Sequence, residues 1–241
     1  MTEDLSNKSI EYLNAIGNYS NGKYEDGIMN PFLFKSCSPK ILWILRETNG
    51  NFSPKDWWGN KSYKDSNPFD SKRQKGSKWH TWETIAQICY QILNDKKTNN
   101  DIELASAMER VAIINLKKTA GNAKINEKFY EYLKLQENRN IFIEQIKRIN
   151  PDVIIGGNTL NFIKSDELSF RQGKRIFLNN KEISENKSFM KKNSCFCFLN
   201  KLFINPYHPS HIMNKDEYVE VVVKAYRHWL KIRNECTVFN W

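Results

Sequence analysis

Cysteine is sparse and unpatterned in this chain. Cys37, Cys89, Cys195, Cys197 and Cys236 form an odd set with no Cys-x-x-Cys pair, which signals neither a disulfide framework nor a zinc or iron–sulfur site. The expectation is five reduced, mostly buried thiols and no metal or cofactor. Histidine is scarce too, with four in 241 residues, and His80 and His228 stand apart from any ligand spacing. No apolar run approaches the roughly 20 residues needed to cross a bilayer. The polar start "MTEDLSNKSIEYL" lacks the basic-then-apolar order of a signal peptide. A cytoplasmic, intracellular protein without a membrane span is therefore expected. Repeats and long Pro- or Ser-rich linkers are also missing, so residues 1–241 read as one domain, large enough for a well-covered core. A monomer is expected.

Basic charge is abundant. Lys and Arg total 37 against 27 Asp and Glu, a formal charge of +10. That balance favours a polyanionic partner, either nucleic acid or an anionic membrane surface.

Four short apolar runs, "ILWIL" (41–45), "VAIIN" (111–115), "DVIIGG" (152–157) and "KLFIN" (201–205), carry apolar residues on consecutive positions. Strands buried on both faces of a parallel sheet read this way. Helical spacing is expected over 80–94, 126–148 and 215–233. In the last of these, Tyr218, Val222, Ala225, Tyr226 and Trp229 form a core-facing stripe. Strands alternating with helices predict an α/β fold, a three-layer α/β/α sandwich around a central, mainly parallel four-stranded sheet.

Ligands of such sheets bind beyond the carboxyl ends of the strands. The four segments found there are "RETNGNF" (46–52), "LKKTAGN" (116–122), "GGNTL" (156–160) and "PYHPSHIM" (206–213), and all are rich in Gly, Asn, Lys, Thr or His. The stretch 53–79 is polar, basic and studded with aromatics. It reads as an extended loop over the same rim, suited to a nucleic-acid backbone and unstacked bases, or as a surface insertion. An irregular insertion at 165–199 is expected to hold a further strand or hairpin in "KRIFLNN" and "SCFCFLN".

In their order, these segments resemble the uracil-DNA glycosylase superfamily. "ILRETNG" (44–50) is similar to its first-strand motif, with Glu47 and Gly50 matching and Arg46 and Asn49 standing where the family has Gly and Pro. "AIINLKK" (112–118) is similar to the second motif, "INPDVIIGGN" (149–158) to the third and "HPSHIM" (208–213) to the last. The likeness spans about residues 41–214 through short motifs.

The resemblance implies cleavage of a base from deoxyribose, which leaves positive charge on the sugar and negative charge on the base. Glu47 would orient or deprotonate the attacking water and stabilise the sugar cation, and His208 would donate to the base oxygen that gains charge. Thr48 falls where some branches hold the water. The Asn115 amide offers the donor and acceptor that pair with a flipped pyrimidine, or else caps its turn. Phe52 stacks on that base or packs in the core. Lys117, Lys118, Ser210, and the backbone amides around Gly157 and Asn158 would hold phosphates. His211 is divided between phosphate and solvent. Ile212 or Met213 would wedge into the duplex or simply pack at the start of the next helix.

Gly50 occupies the place where the uracil-specific branch carries an aromatic wall against C5 of the pyrimidine. The resemblance thus makes uracil the conservative substrate, and the open wall admits C5-modified pyrimidines such as the modified cytosines of phage DNA, a defence role. Two other readings stay open: a catalytically silent DNA-binding module, and a hydrolase of free nucleosides, which would have little use for a charge of +10.

Overall fold

The computed structural model describes residues 17–20, 25–47, 78–119, 121, 126–163, 174–175, 190–211 and 214–234, with only the backbone for 78–80, 174–175, 190–194 and 211. In chain order the strands are β1 (Tyr19–Ser20), β2 (Glu25–Ile28), β3 (Ile41–Leu45), β4 (Ala112–Asn115), β5 (Val153–Gly156), β6 (Lys174–Arg175), β7 (Met190–Phe198) and β8 (Lys201–Pro206). The helices are α1 (Pro31–Lys35), α2 (Lys78–Asn94), α3 (Asp101–Glu109), α4 (Glu127–Lys134), α5 (Gln136–Ile149) and α6 (Lys215–Ile232).

Among the described residues the eight strands join one sheet in the order β1-β2-β4-β3-β5-β8-β7-β6. The four apolar runs supply its centre: β4, β3, β5 and β8 lie side by side and parallel. The expectation of a four-stranded sheet is corrected by the edges. On one side β2 pairs antiparallel with β4 and β1 with β2; on the other β7 pairs antiparallel with β8 and β6 with β7. The sheet is therefore mixed. β7 and β8 meet through the turn Leu199–Asn200, where both residues take positive φ. β6 and β7 are the extra strand structure expected within 165–199.

Each central strand is buried on both faces because its side chains alternate between two cores. Ile41, Trp43, Leu45, Val153, Ile155, Leu202 and Ile204 pack with α2, α3 and α6. Leu42, Ile44, Ile114, Ile154 and Phe203 pack with α1, α4 and α5. Helices thus cover both faces, giving three layers. Among the described residues no helix is long and apolar enough to cross a membrane.

The helix expected over 126–148 is two helices, broken at Leu135 (φ −73°, ψ 121°). The break needs neither Pro nor Gly, because side chains from α5 take over the carbonyls that α4 leaves unpaired. Asn138 Nδ2 donates to Tyr132 O at 2.9 Å and Arg139 to Leu133 O at 3.3 Å. The helix expected at 80–94 starts two residues earlier, at Lys78. The cysteine reading is corrected in part. Cys37, Cys89 and Cys195 are free and buried, but Cys197 is disulfide-bonded.

Candidate active site at the carboxyl edge of the sheet

Backbone pairing continues past the strands and ties their carboxyl ends together. Lys117 N donates to Arg46 O at 2.9 Å, joining the segment after β4 to that after β3. Gly157 N donates to Ile44 O at 3.0 Å and Asn158 N to Pro206 O at 2.7 Å, joining the segment after β5 to β3 and β8. The rim segments therefore lie side by side, as the run pattern predicts, with Glu47 beyond β3 and His208 beyond β8, one strand apart.

Glu47 is held closely. Its Oε2 accepts from Lys117 Nζ at 2.9 Å, and the two side chains are 2% and 11% exposed respectively. The backbone of Gly121 lies against the carboxylate, so that a Cβ there would collide with both Glu47 oxygens. Arg46 is half-buried, and its affinity for protons is lowered by that burial against the opposing pull of Glu47.

His208 is fixed from below and from within its own turn. A Cβ on Gly157 would sit 3.2 Å from His208 Cδ2 and 3.3 Å from Leu45 Cδ2, so a glycine there lets the imidazole approach the strand end. Ser210 N donates to His208 Nδ1 at 3.2 Å, and Ser210 Oγ lies 2.8 Å from the same nitrogen. A backbone N–H can only donate. Nδ1 must accept, which assigns the proton of the neutral ring to Nε2 and makes Nε2 the donor.

Several expected contacts are corrected. Lys118 is no phosphate contact: it is 1% exposed and its Nζ is 2.7 Å from Asp26 Oδ2. Burial lowers its pKa, with the Asp26 charge pulling the other way. The amides of Gly157 and Asn158 are committed as well, to Ile44 O and to Gly156 O and Pro206 O, so neither is presented to an anion. The following helix is only the three-residue 3-10 turn Leu160–Phe162. Asn115 is buried at 1% exposure, at the end of β4, and its N–H donates to Asp26 Oδ2 at 2.8 Å. Ser210 is half-buried in the 3-10 turn Pro209–His211, which also contains the His211 backbone. Thr48, Gly50, Phe52, Ile212, Met213 and the body of the 53–79 loop lie outside the described residues.

Asp26 is the residue that reading for apolar runs missed. It is fully buried on β2 and accepts hydrogen bonds from Asn115 N, Lys118 Nζ and, at Oδ1, Gln145 Nε2 at 2.9 Å. Tyr132 OH accepts from Lys118 N at 3.2 Å, and burial pushes its own pKa up to about 12. The signal available in the sequence was one of two adjacent acids in "YEDGIM", a stretch too short and too polar to read as a strand. Gly121 was visible only as one glycine of "TAGN".

At the opposite, amino end of the strands a cleft of about 430 Å³ is lined by Pro39, Asp152, Tyr226, Trp229 and Arg233 among others. Its residues precede the strands or end α6, and none belongs to the rim. Compared with known proteins, the chain matches no family model, no curated protein and no solved structure, which leaves the chemistry of the strand ends as the guide to function.

Proposed function

We propose that this protein is a DNA glycosylase that hydrolyses the N-glycosidic bond of a flipped-out uracil or C5-modified pyrimidine and leaves an abasic site. One observation carries the reading: a buried carboxylate, Glu47, and an imidazole whose neutral form presents Nε2–H, His208, stand one strand apart on the same carboxyl edge. Bond cleavage in a nucleoside separates charge, and these two groups answer the two ends of it.

Lys117 holds Glu47 in one orientation. An ionised carboxylate in a fixed place polarises the attacking water and stabilises the oxocarbenium-like sugar. As the C1′–N bond breaks, its electron pair moves into the base, and His208 Nε2–H donates to the oxygen that gains the charge. A neutral donor suits that task, because it stabilises the anion without giving up its proton. Asn115, buried at the end of β4, would read the base edge once the base is seated. Ser210 and His211 would meet the phosphates, Ile212 or Met213 would fill the gap in the duplex, and the basic loop at 53–79 would recognise a bulky C5 substituent. Excision of modified cytosine from phage DNA would make this a defence enzyme of the cytoplasm.

The assay uses duplex and single-stranded oligonucleotides carrying uracil, hypoxanthine, hydroxymethylcytosine or glucosylated hydroxymethylcytosine, with abasic sites as the readout. Release of at least one of these bases, abolished in Glu47→Gln and reduced in His208→Ala, is expected. Release that survives both substitutions, or none from any substrate, rejects the reading. The tight Glu47–Lys117 pair favours one alternative, a silent DNA-binding module. Binding that weakens steeply with salt but releases no base would identify it.

A further inference from the structure

Beyond orienting Glu47, the charge on Lys117 works against hydrolysis. A sugar losing its base becomes positive, and an ammonium beside it opposes that change. Yet Lys117 Nζ lies 2.9 Å from the carboxylate assigned to the sugar. The next residue shows what a purely structural lysine looks like here: Lys118 is 1% exposed and committed to Asp26, away from Glu47. Lys117 is different. It sits on the Glu47 side of the rim, keeps 11% exposure, and touches a group that can take its proton.

We propose that Lys117 is an imine-forming nucleophile that gives the protein a strand-cleaving lyase activity on abasic DNA. The proposal rests on the reading of Glu47 as the carboxylate that meets C1′, because an amine 2.9 Å from that carboxylate is then within reach of the same carbon. The proton of the ammonium passes to Glu47 across their hydrogen bond, leaving a neutral amine, the nucleophilic form. Nζ adds to the C1′ aldehyde of the ring-opened sugar. The resulting hydroxyl leaves as water with the proton returned by Glu47, and a protonated C1′=N imine remains. The Glu47 carboxylate next removes a proton from C2′; that C–H pair becomes the C2′=C3′ double bond, and the C3′–O bond breaks with its electrons on the departing phosphate. Water hydrolyses the imine, freeing Lys117 and an unsaturated aldehyde on the 5′ fragment. No oxidant or reductant is consumed.

The test uses the full-length protein and a duplex oligonucleotide with a preformed abasic site, with and without borohydride. Borohydride is expected to trap a covalent protein–DNA adduct that peptide mass spectrometry maps to Lys117. Without it, the strand is expected to break on the 3′ side of the abasic site. Lys117→Arg retains a positive charge but cannot take this route, and its adduct should be lost while its melting temperature reports folding. If that variant does not fold, the mapped position in the unsubstituted protein decides. No adduct, an adduct at another residue, or an undiminished adduct in a folded Lys117→Arg overturns the proposal. Preformed abasic DNA needs no base release. An absent adduct beside active base release therefore sinks the lyase alone, whereas an adduct without base release sinks the glycosylase reading alone.

Discussion

Replacing Lys118 by Met tests the buried charge behind the rim. Lys118 and Asp26 are 1% and 0% exposed and 2.7 Å apart, so methionine would remove the Lys118 charge from the Asp26 carboxylate, which also accepts from the Asn115 N–H and the Gln145 amide. Breaking a buried pair from one side costs about 3–5 kcal/mol, because the surviving charge stays buried without compensation. At roughly 2–4 °C per kcal/mol for a chain of this size, the melting temperature should fall by about 6–20 °C. The double variant Asp26→Asn/Lys118→Met removes both charges while its amide oxygen still accepts from Asn115 N. Since neutral replacement of a whole pair is often close to neutral in stability, it should recover all but about 1–2 kcal/mol. Urea unfolding at pH 7, fitted for midpoint and slope, separates stability from changes in the denatured state. A Lys118→Met protein that unfolds like the parent, or a double variant whose losses simply add, would refute the argument that the pair is electrostatically closed.

Gly121→Ala should displace Glu47, since the new Cβ meets the carboxylate. Base release is expected to fall by about 10²-fold, the usual result of moving a reacting group by an ångström, and an unchanged rate would show that Glu47 has room to move. Long-range ¹H–¹⁵N correlation of His208 at neutral ring charge should place the proton on Nε2; a proton on Nδ1 contradicts the donation from Ser210 N. Burial pushes the Cys89 and Cys195 thiols from 9.0 up to about 12. Between those values the unfolded thiol has lost a proton that the folded one keeps. Stability from this source is therefore complete below pH 9 and declines by about 1.4 kcal/mol per pH unit per thiol above it. Urea midpoints at pH 8, 9.5 and 10.5 should fall, and Cys195→Ala should flatten the slope.

The centre of the fold is legible because burial on both faces leaves its mark on consecutive residues. "ILWIL" and "DVIIGG" become β3 and β5 with little shift in boundary. Edge strands carry no such mark. β2 is "EDGI", in which Gly27 at φ 124° presses on Asn18 and Asp26 points into the protein, so its place in the sheet depends on partners 80 and more residues away. Helix α3 had local signals that an apolar scan passes over: Asn100 caps Ile102 N and Glu103 N, and Asp101 and Glu103 stand in the first turn. The break at Leu135 had none, since the side chains that permit it come from the next helix.

Lys117 and Lys118 show why a rim can be found from sequence while the role of each residue on it cannot. Two adjacent lysines after a strand look alike in one dimension, and both suit phosphate. Chain geometry separates them, because the backbone bends over residues 116–119 after β4 and the two side chains reach different carboxylates. One side at this position holds Glu47 and the other holds Asp26, a carboxylate from a strand that the apolar pattern does not announce. Each lysine takes the carboxylate on its own side. The consequence for the site is chemical: Asp26 absorbs one positive charge into the structure, and the other stays where a sugar carbon would arrive. A basic patch read from composition is thus divided by the fold into one charge that holds β2 against β4 and one that is held against Glu47.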